Sequence, residues 1–443
     1  MKHLTRIFFW LFLGLCALPL AVLLILGPAE AASNQVLASA PSLTNRDGSF
    51  NDGVLTDLSD YLSDRFGFRQ ELITLQARLT AALFHESAAE SVVLGSEGWL
   101  YYADTLPDYE GTNALTDRQL WAAARTLRLI QDAAQAQGAQ FLFTVAPNKN
   151  SLYPDAMPDR YPRSDTPGNW QRLRVQLEAQ GVAYVDLTET LTREEPVYYR
   201  TDSHWNDYGA ALAHDAILEA LGETGAAAQE PFTTGTHLGD LYAMLYPTGT
   251  ETETCPVLDR DRTFTYTAPF RSPEDMTIRT ESEGALGSLL MYRDSFGNNL
   301  YAPLAESFSN ACFSRSMPLQ LELLEETQPD LVLFELVERN LSWLCTQPPV
   351  LAARPCEPVE AETAGAAGAA VTLTIREANG LCCYSGSLEA LDWDSPVYLS
   401  LDGACYEATP AGTGDNPFTL YGPKADVVRV YYRSGGRWLE AET

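Results

Sequence analysis

Leu289-Leu290-Met291-Tyr292-Arg293-Asp294-Ser295-Phe296-Gly297-Asn298 decides how the rest of the chain is read. Its apolar start reads as a strand buried on both faces, and the polar segment after it reads as the turn that ends the strand. Gly297-Asn298 permits a tight turn into a helix through Leu300 and Leu304. Outward from this stretch, the same grammar recurs. Residues 141–145, 182–187, 287–291 and 330–336 are short apolar runs of strand length. Helical patterns alternate with them. Thr116 and Gln119 form a capping box, Leu120, Leu127 and Ile130 line one face, and Gly138 ends the helix. A second helix through Leu173 and Leu177 stops at Gly181, and a third over 207–221 stops at Gly222. Residues 54–85 read as a further helix, with Leu58, Leu62, Phe66 and Leu72 on one face. Short buried strands alternating with helices predict an α/β fold, a parallel sheet flanked by helices.

The two ends of the chain differ from this middle. Lys2 and Arg6 precede residues 7–27, 21 positions without a charge. That is enough helix to cross a bilayer core of about 30 Å and exceeds the apolar core of most signal peptides. Residues 1–27 are therefore expected to be a signal-anchor, giving a single-pass cell-membrane protein with its catalytic domain outside the cytoplasm. Ala29-Glu30-Ala31 offers the alternative, a cleaved signal peptide and secretion. Residues 28–45 are small and polar and read as a linker to a main domain at 46–356. Residues 357–370, rich in Ala, Gly and Glu, read as a second linker. Beyond it, 371–443 alternates apolar and polar residues between turns and predicts a small all-β module.

Composition narrows the partners. With 29 basic and 59 acidic residues the formal charge is −30, which excludes nucleic acid as a natural partner. Of the eight cysteines, Cys16 lies in the apolar segment. Cys345 with Cys356, and Cys405 with Cys382 or Cys383, are the pairings that spacing suggests. No Cys-x-x-Cys pair of zinc type is present, and the sequence calls for no cofactor and no metal. A cluster of Asp202, His204, His237 and Asp240 can be imagined as ligands, but no close ligand spacing supports it.

The chemistry concentrates in Thr201-Asp202-Ser203-His204-Trp205-Asn206-Asp207-Tyr208. On an extended backbone, residues i and i+2 share a side. Asp202 can then hold one ring nitrogen of His204 and leave the other free as a base, while Ser203 faces away. Ser295, at a strand end, supplies the missing hydroxyl, since serine needs such a base to become a nucleophile. Free N–H groups at the following helix N-terminus would stabilise an oxyanion. Asp294 suits a turn role, His214 a packing role, and His237 a loop hydrogen bond or a substrate-side contact.

Thr201-Asp202-Ser203-His204-Trp205 and Tyr292-Arg293-Asp294-Ser295-Phe296 resemble the two signature segments of the DHHW proteins, relatives of the AlgX/AlgJ alginate O-acetylation proteins. Further segments match in order across about residues 45–345: 61–69, 93–101, 146–154, Gly239-Asp240-Leu241 and Val337-Glu338-Arg339-Asn340. The resemblance implies an SGNH-hydrolase-like domain with Ser295 as nucleophile, His204 as base and Asp202 as its orienting carboxylate. It also implies that Tyr301 lines the site. Arg293 stands where a Gly-Asp-Ser motif has glycine, and Ser203 where the Asp-His-His-Trp motif has histidine. Tyr301, Arg293, Asn148, Lys149 and His237 are the candidates for substrate contact. The expected function is acyl transfer, with acetyl as the group, to a cell-surface polysaccharide, with a membrane-bound O-acyltransferase as donor partner. The alternatives are a carbohydrate esterase using the same triad and a non-catalytic binding or scaffold protein.

Overall fold

The computed structural model describes residues 2–27, 37–45, 47–258, 261–283, 286–361, 371–378, 380–389, 391–411 and 417–441. The Ala29-Glu30-Ala31 site lies outside the described residues, as do 28–36 of the first expected linker and 362–370 of the second.

The N-terminal apolar segment forms helix α1 (Lys2–Leu26), long and apolar enough to cross a membrane. The helix expected over 54–85 is two helices, α2 (Val54–Arg65) and α3 (Arg69–Phe84). Gly67 separates them because its backbone lies directly on α1. Its N–H donates to the Pro19 carbonyl at 3.0 Å, and a Cβ there would collide with Val22. Phe68 then takes a left-handed φ of 62° to start α3. The inner face of α3, at Thr74 and Ala77, packs against a hairpin of β1 (Val92–Leu94) and β2 (Leu100–Tyr102).

The alternating region follows. It comprises α4 (Asp117–Ala136), β3 (Gln140–Ala146), α5 (Asn169–Gln180), β4 (Tyr184–Asp186) and α6 (Asp207–Ala220). Both halves of the Thr116–Gln119 capping box are present at the start of α4. A second hairpin, β5 (Thr233–His237) with β6 (Glu253–Val257), encloses the short helix α7 (Asp240–Leu245). Then come β7 (Phe264–Tyr266), β8 (Thr277–Ser282), β9 (Leu286–Tyr292), α8 (Gly297–Ser307), β10 (Phe308–Ser314) and β11 (Leu331–Val337).

The central sheet has seven strands in the order β4-β3-β11-β9-β10-β8-β7. From β4 to β10 the pairs are parallel, as expected, but β8 and β7 extend the sheet antiparallel. The expected parallel sheet is present, and this antiparallel edge is added to it. In β8, Thr-Ile-Arg-Thr-Glu-Ser buries only Ile278 and Thr280, the alternation of a strand with one dry face rather than an apolar run. One side of the sheet is covered by residues of α4 and α5, including Leu127, Ile130, Trp170 and Leu173. The other is covered by residues of α6 and α8, including Ala213, Ile217, Leu300 and Leu304. Because β3, β9 and β11 are parallel neighbours, their carboxyl ends open at one sheet edge, where Asn148, Ser295 and Arg339 follow.

The C-terminal strands are β12 (Pro355–Cys356), β13 (Thr374–Ala378), β14 (Leu381–Ser387), β15 (Val397–Leu401), β16 (Ala404–Pro410), β17 (Pro417–Gly422), β18 (Val428–Ser434) and β19 (Arg437–Glu440). They pair antiparallel in the order β13-β14-β17-β16-β15-β18-β19, with β12 on β16, around Tyr384, Leu399 and Val430. Polar contacts join this module to α4. Arg125 grips both carboxylate oxygens of Glu407 at 2.5 Å, and Arg118 donates to the carbonyls of Trp393 and Ser395. Spacing misjudged the cysteines. Cys356 stands opposite Cys405 across the β12–β16 pair, whereas the buried Cys345 thiol donates to the Gln119 carbonyl at 3.3 Å.

Candidate active site

Ser295 follows β9 by three residues and immediately precedes the turn into α8. Asp294 makes that turn. One oxygen accepts from the Phe296 N–H at 2.9 Å, and the other accepts from Val337 N–H and Asn340 Nδ2 at 2.8 and 2.9 Å. The structural role expected of Asp294 is thus the observed one. It splints the end of β9 to the end of β11 and presents the Ser295 hydroxyl at the sheet edge.

His204 reaches the same point from another loop. The Tyr198–Trp205 bridge closes this loop, and Trp205 Nε1 donates to the Phe296 carbonyl at 3.0 Å. That bond joins the histidine segment to the serine segment. His204 Nε2 lies 2.8 Å from Ser295 Oγ, and His204 Nδ1 lies 2.7 Å from Asp202 Oδ1. The Asp–His contact does not arise from an extended strand. Residues 201–204 bend, and Asp202 Oδ1 also accepts the His204 backbone N–H at 3.0 Å, as in an Asx turn. For the same reason Ser203 does not face away. Its hydroxyl donates to Asp240 Oδ2 at 2.7 Å and lies 3.2 Å from His204 Nδ1.

Asp202 is the hub. Its second oxygen accepts from His237 Nε2 at 2.8 Å and from the Asp240 N–H at 3.0 Å. Burial opposes its ionisation, yet the hydrogen bonds from both imidazoles hold it well below the usual carboxylate range. His204 is likewise buried, which opposes its charging, but Asp202 raises its pKa above the ordinary histidine value. Asp240 is pushed up by burial and by the Asp202 charge. Donor atoms of Asp202, His204 and Asp240 lie within 4.8 Å of one another, and their negative charge is met by N–H and O–H donors.

The remaining candidates divide. His237 is at the site, stacked on Tyr199 with ring centroids 4.0 Å apart, but its Nε2 is committed to Asp202. Tyr301 is buried in α8 and lines a cavity of ≈ 250 Å³ with Asp207, Arg262, Asn298 and Asn299. Its hydroxyl is 2.9 Å from that of Tyr266. Arg293, Asn148 and Lys149 are corrections, because all three are buried and bond groups of the protein, with only the Arg293 Nε left unpartnered among their donors. Arg293 bonds Asn298 and the Pro273 carbonyl at 2.6 Å each. Asn148 bridges Asp108 to the Arg339 N–H. Lys149 Nζ donates to the carbonyls of Tyr199, Arg200 and Asp202 at 3.0, 2.9 and 2.7 Å. Burial pulls its pKa down to about 7, against the carboxylates of Asp202, Asp240 and Glu253. Its work is to hold the Asp202 loop from beneath. Glu253 holds the same loop from above, accepting from Arg200 N–H and Thr201 N–H at 2.7 and 2.8 Å.

Sequence reasoning met Asp240 only as an imagined ligand beside Asp202, His204 and His237, and gave no role to Phe296 or Arg339. Phe296 lies beside the His204 ring, with centroids 4.9 Å apart. The Arg339 guanidinium sits over Phe296 and Tyr102, 5.6 and 5.2 Å from the ring centroids. The Gly-Asp pair at the start of α7 was the available signal for Asp240, since a glycine ahead of a helical aspartate marks a close approach. A Cβ on Gly239 would collide with the Thr201 carbonyl.

Residues 92–281 match the family model of the SGNH hydrolase-like domain of the acetyltransferase AlgX. Over these residues the chain is similar to AlgX. The AlgX-like region contains Asp202, His204 and His237 and ends before Ser295. Among curated relatives, the chain is 28% identical over 242 residues to the probable alginate O-acetylase AlgJ of Pseudomonas syringae pv. tomato, covering 52% of this chain and 59% of that protein. It is 28% identical over 181 residues to the Pseudomonas aeruginosa protein of the same name, covering 39% and 45%. The chain thus spans about half the length of these AlgJ proteins. Similar solved structures include the O-acetyltransferase domain of Pseudomonas putida AlgJ (TM-score 0.39, 20% identity, 57% of this chain and 92% of that one). Bacillus cereus PatB1 with a sulfonyl adduct is another (TM-score 0.43, 17% identity, 56% and 97%). A DHHW family protein from Eubacterium siraeum is a third (TM-score 0.36, 17% identity, 50% and 85%).

Proposed function

We propose that this chain is an extracytoplasmic O-acyltransferase that moves an acetyl group onto a cell-surface polysaccharide, with Ser295, His204 and Asp202 as its triad. The observation that carries this reading is the unbroken line of short contacts, 2.8 Å from Ser295 Oγ to His204 Nε2 and 2.7 Å from His204 Nδ1 to Asp202. His204 Nε2 takes the Ser295 proton as Oγ attacks the acyl carbonyl of the donor. The resulting imidazolium is stabilised by Asp202 and returns the proton to the leaving group. A sugar hydroxyl, deprotonated in turn by His204, then attacks the acyl-serine ester, releasing Ser295 and forming the new O-acyl bond. On this reading the Ser295 N–H and an unbonded N–H of the first turn of α8 receive the carbonyl oxygen as it gains charge. The AlgJ relatives, probable alginate O-acetylases, support acetyl and polysaccharide as the two partners in the reaction. α1 supports a membrane-anchored location, and a membrane-bound O-acyltransferase is the donor partner this reading calls for.

Mass spectrometry of the protein after incubation with an activated acetyl ester tests the proposal. An acetyl adduct on Ser295 is expected, absent in Ser295→Ala and His204→Ala. No adduct on the intact chain would remove the catalytic reading. Transfer to an oligosaccharide acceptor, set against hydrolysis alone, separates the transferase from an esterase with the same triad.

A further inference from the structure

Helix α3 has two unlike faces. Thr74 and Ala77 are buried, and Ala77 packs with Leu241 and Leu245 of α7. On the opposite side Leu72, Leu75, Leu79 and Leu83, at i, i+3, i+7 and i+11, are 46, 54, 52 and 69% exposed. Four leucines in a row facing outward form a contiguous apolar stripe, bordered by Glu71 and Arg78 on one side and by Gln76 and Thr80 on the other. Such a stripe on a soluble surface marks something that covers it.

The covering surface is indicated by α1. The elbow between α2 and α3 lies on that helix, where Gly67 N–H donates to Pro19 O and the glycine leaves room for Val22. Pro19 is seven residues before Leu26, the last residue of α1. At 1.5 Å per residue the elbow meets α1 about 10 Å inside its C-terminal end. In a spanning helix that depth falls within the outer half of a core of about 30 Å. Phe68, beside the elbow, is exposed as well. A helix held at this depth cannot keep its leucine face in water.

We propose that α3 lies along the membrane leaflet at the C-terminal end of α1, with Leu72, Leu75, Leu79 and Leu83 immersed among the lipid chains. The occupant of the stripe is the bilayer itself, by the physics of an interfacial amphipathic helix. This rests on the anchored reading of α1 and extends it. The inner face of α3 packs on α7, whose first residue, Asp240, bonds Ser203 and Asp202. The triad therefore stands one helix layer above the lipid surface, where an acyl group leaving a membrane donor would arrive.

The test uses the full chain reconstituted in phosphatidylcholine vesicles, with an environment-sensitive fluorescent amino acid encoded at one position at a time. Position 79 is the probe, Leu11 on α1 reports the anchor, and the exposed Val175 on α5 is the soluble control. Lipids brominated along their chains should quench the probes at 79 and 11 several-fold and leave 175 unchanged. Quenching at 11 without quenching at 79 overturns the proposal and leaves the anchor intact. A blue-shifted but unquenched probe at 79 means that protein, another copy or a partner, covers the stripe, and overturns it too. No quenching at 11 removes the anchor and the proposal together, while the Ser295 adduct remains a separate measurement.

Discussion

Replacing Asp202 by asparagine removes no atoms and still should disable the site. Each carboxylate oxygen of Asp202 accepts two hydrogen bonds, one oxygen from His204 Nδ1 and its backbone N–H, the other from His237 Nε2 and the Asp240 N–H. An amide offers one acceptor oxygen and one donor NH2. If the oxygen faces His204, the NH2 confronts the Asp240 N–H, a backbone donor that cannot change its role. If the NH2 faces His204, the imidazole must move its proton to Nε2 and can no longer accept from Ser295. In either orientation one backbone N–H meets the NH2 as donor against donor and one imidazole must shift its proton, so two bonds to a charged acceptor, about 1.5–3 kcal/mol each, are lost. The expected cost is about 3–6 kcal/mol locally, with acetyl transfer down about 10⁴-fold, the loss typical of a triad carboxylate turned into its amide. Initial rates with an activated acetyl ester, with thermal unfolding measured in parallel, provide the assay. The pH profile adds a signed check. Neutral His204 is the active base and Asp202 raises its pKa, so kcat/KM should fall as pH drops through a value above about 6.5. In Asp202→Asn that limb should move to lower pH. A variant retaining a tenth or more of wild-type activity, with an unshifted limb, would refute the reasoning.

Other substitutions read the supports separately. Gly239→Ala drives a Cβ into the Thr201 backbone and should cost about 1–3 kcal/mol of stability, with a larger loss of turnover, since the start of α7 must retreat from Asp202. Circular-dichroism melts with parallel kinetics would show it. Lys149→Met leaves three carbonyls without their donor and should lower stability by about 3 kcal/mol while slowing Ser295 acylation, read by denaturant titration and adduct mass spectrometry. Ser203→Ala keeps the Ser203 N–H on Asp240 and loses only the hydroxyl contact, so its rate should fall less than about tenfold in the same ester assay.

What sequence could reveal follows from what each residue faces. The strand before Ser295 was legible because four apolar residues in a row have no soluble alternative, and the Thr116 cap because its pattern is local. The antiparallel edge at β8 was not, since half-buried polar strands carry little apolar signal. Asp202 and His204 were paired for the wrong reason: an Asx turn and an extended strand both bring i and i+2 together, and only the turn also swings Ser203 toward Asp240. Lys149 and Asn148 looked like substrate contacts because polar residues past a strand end are ambiguous. Their partners are backbone carbonyls and residues some 40–190 positions away.

The mooring of the β module to α4 has a consequence of its own. Its anchor points are two arginines set against a carboxylate and two carbonyls, while the inner face of the same helix lies in the core of the sheet domain. The Arg125–Glu407 pair is largely shielded, with side chains 26 and 10% exposed, so salt screens it little. Brine should therefore leave the module docked, and Arg125→Ala, which strands the shielded Glu407 carboxylate, is the change that should cast it loose.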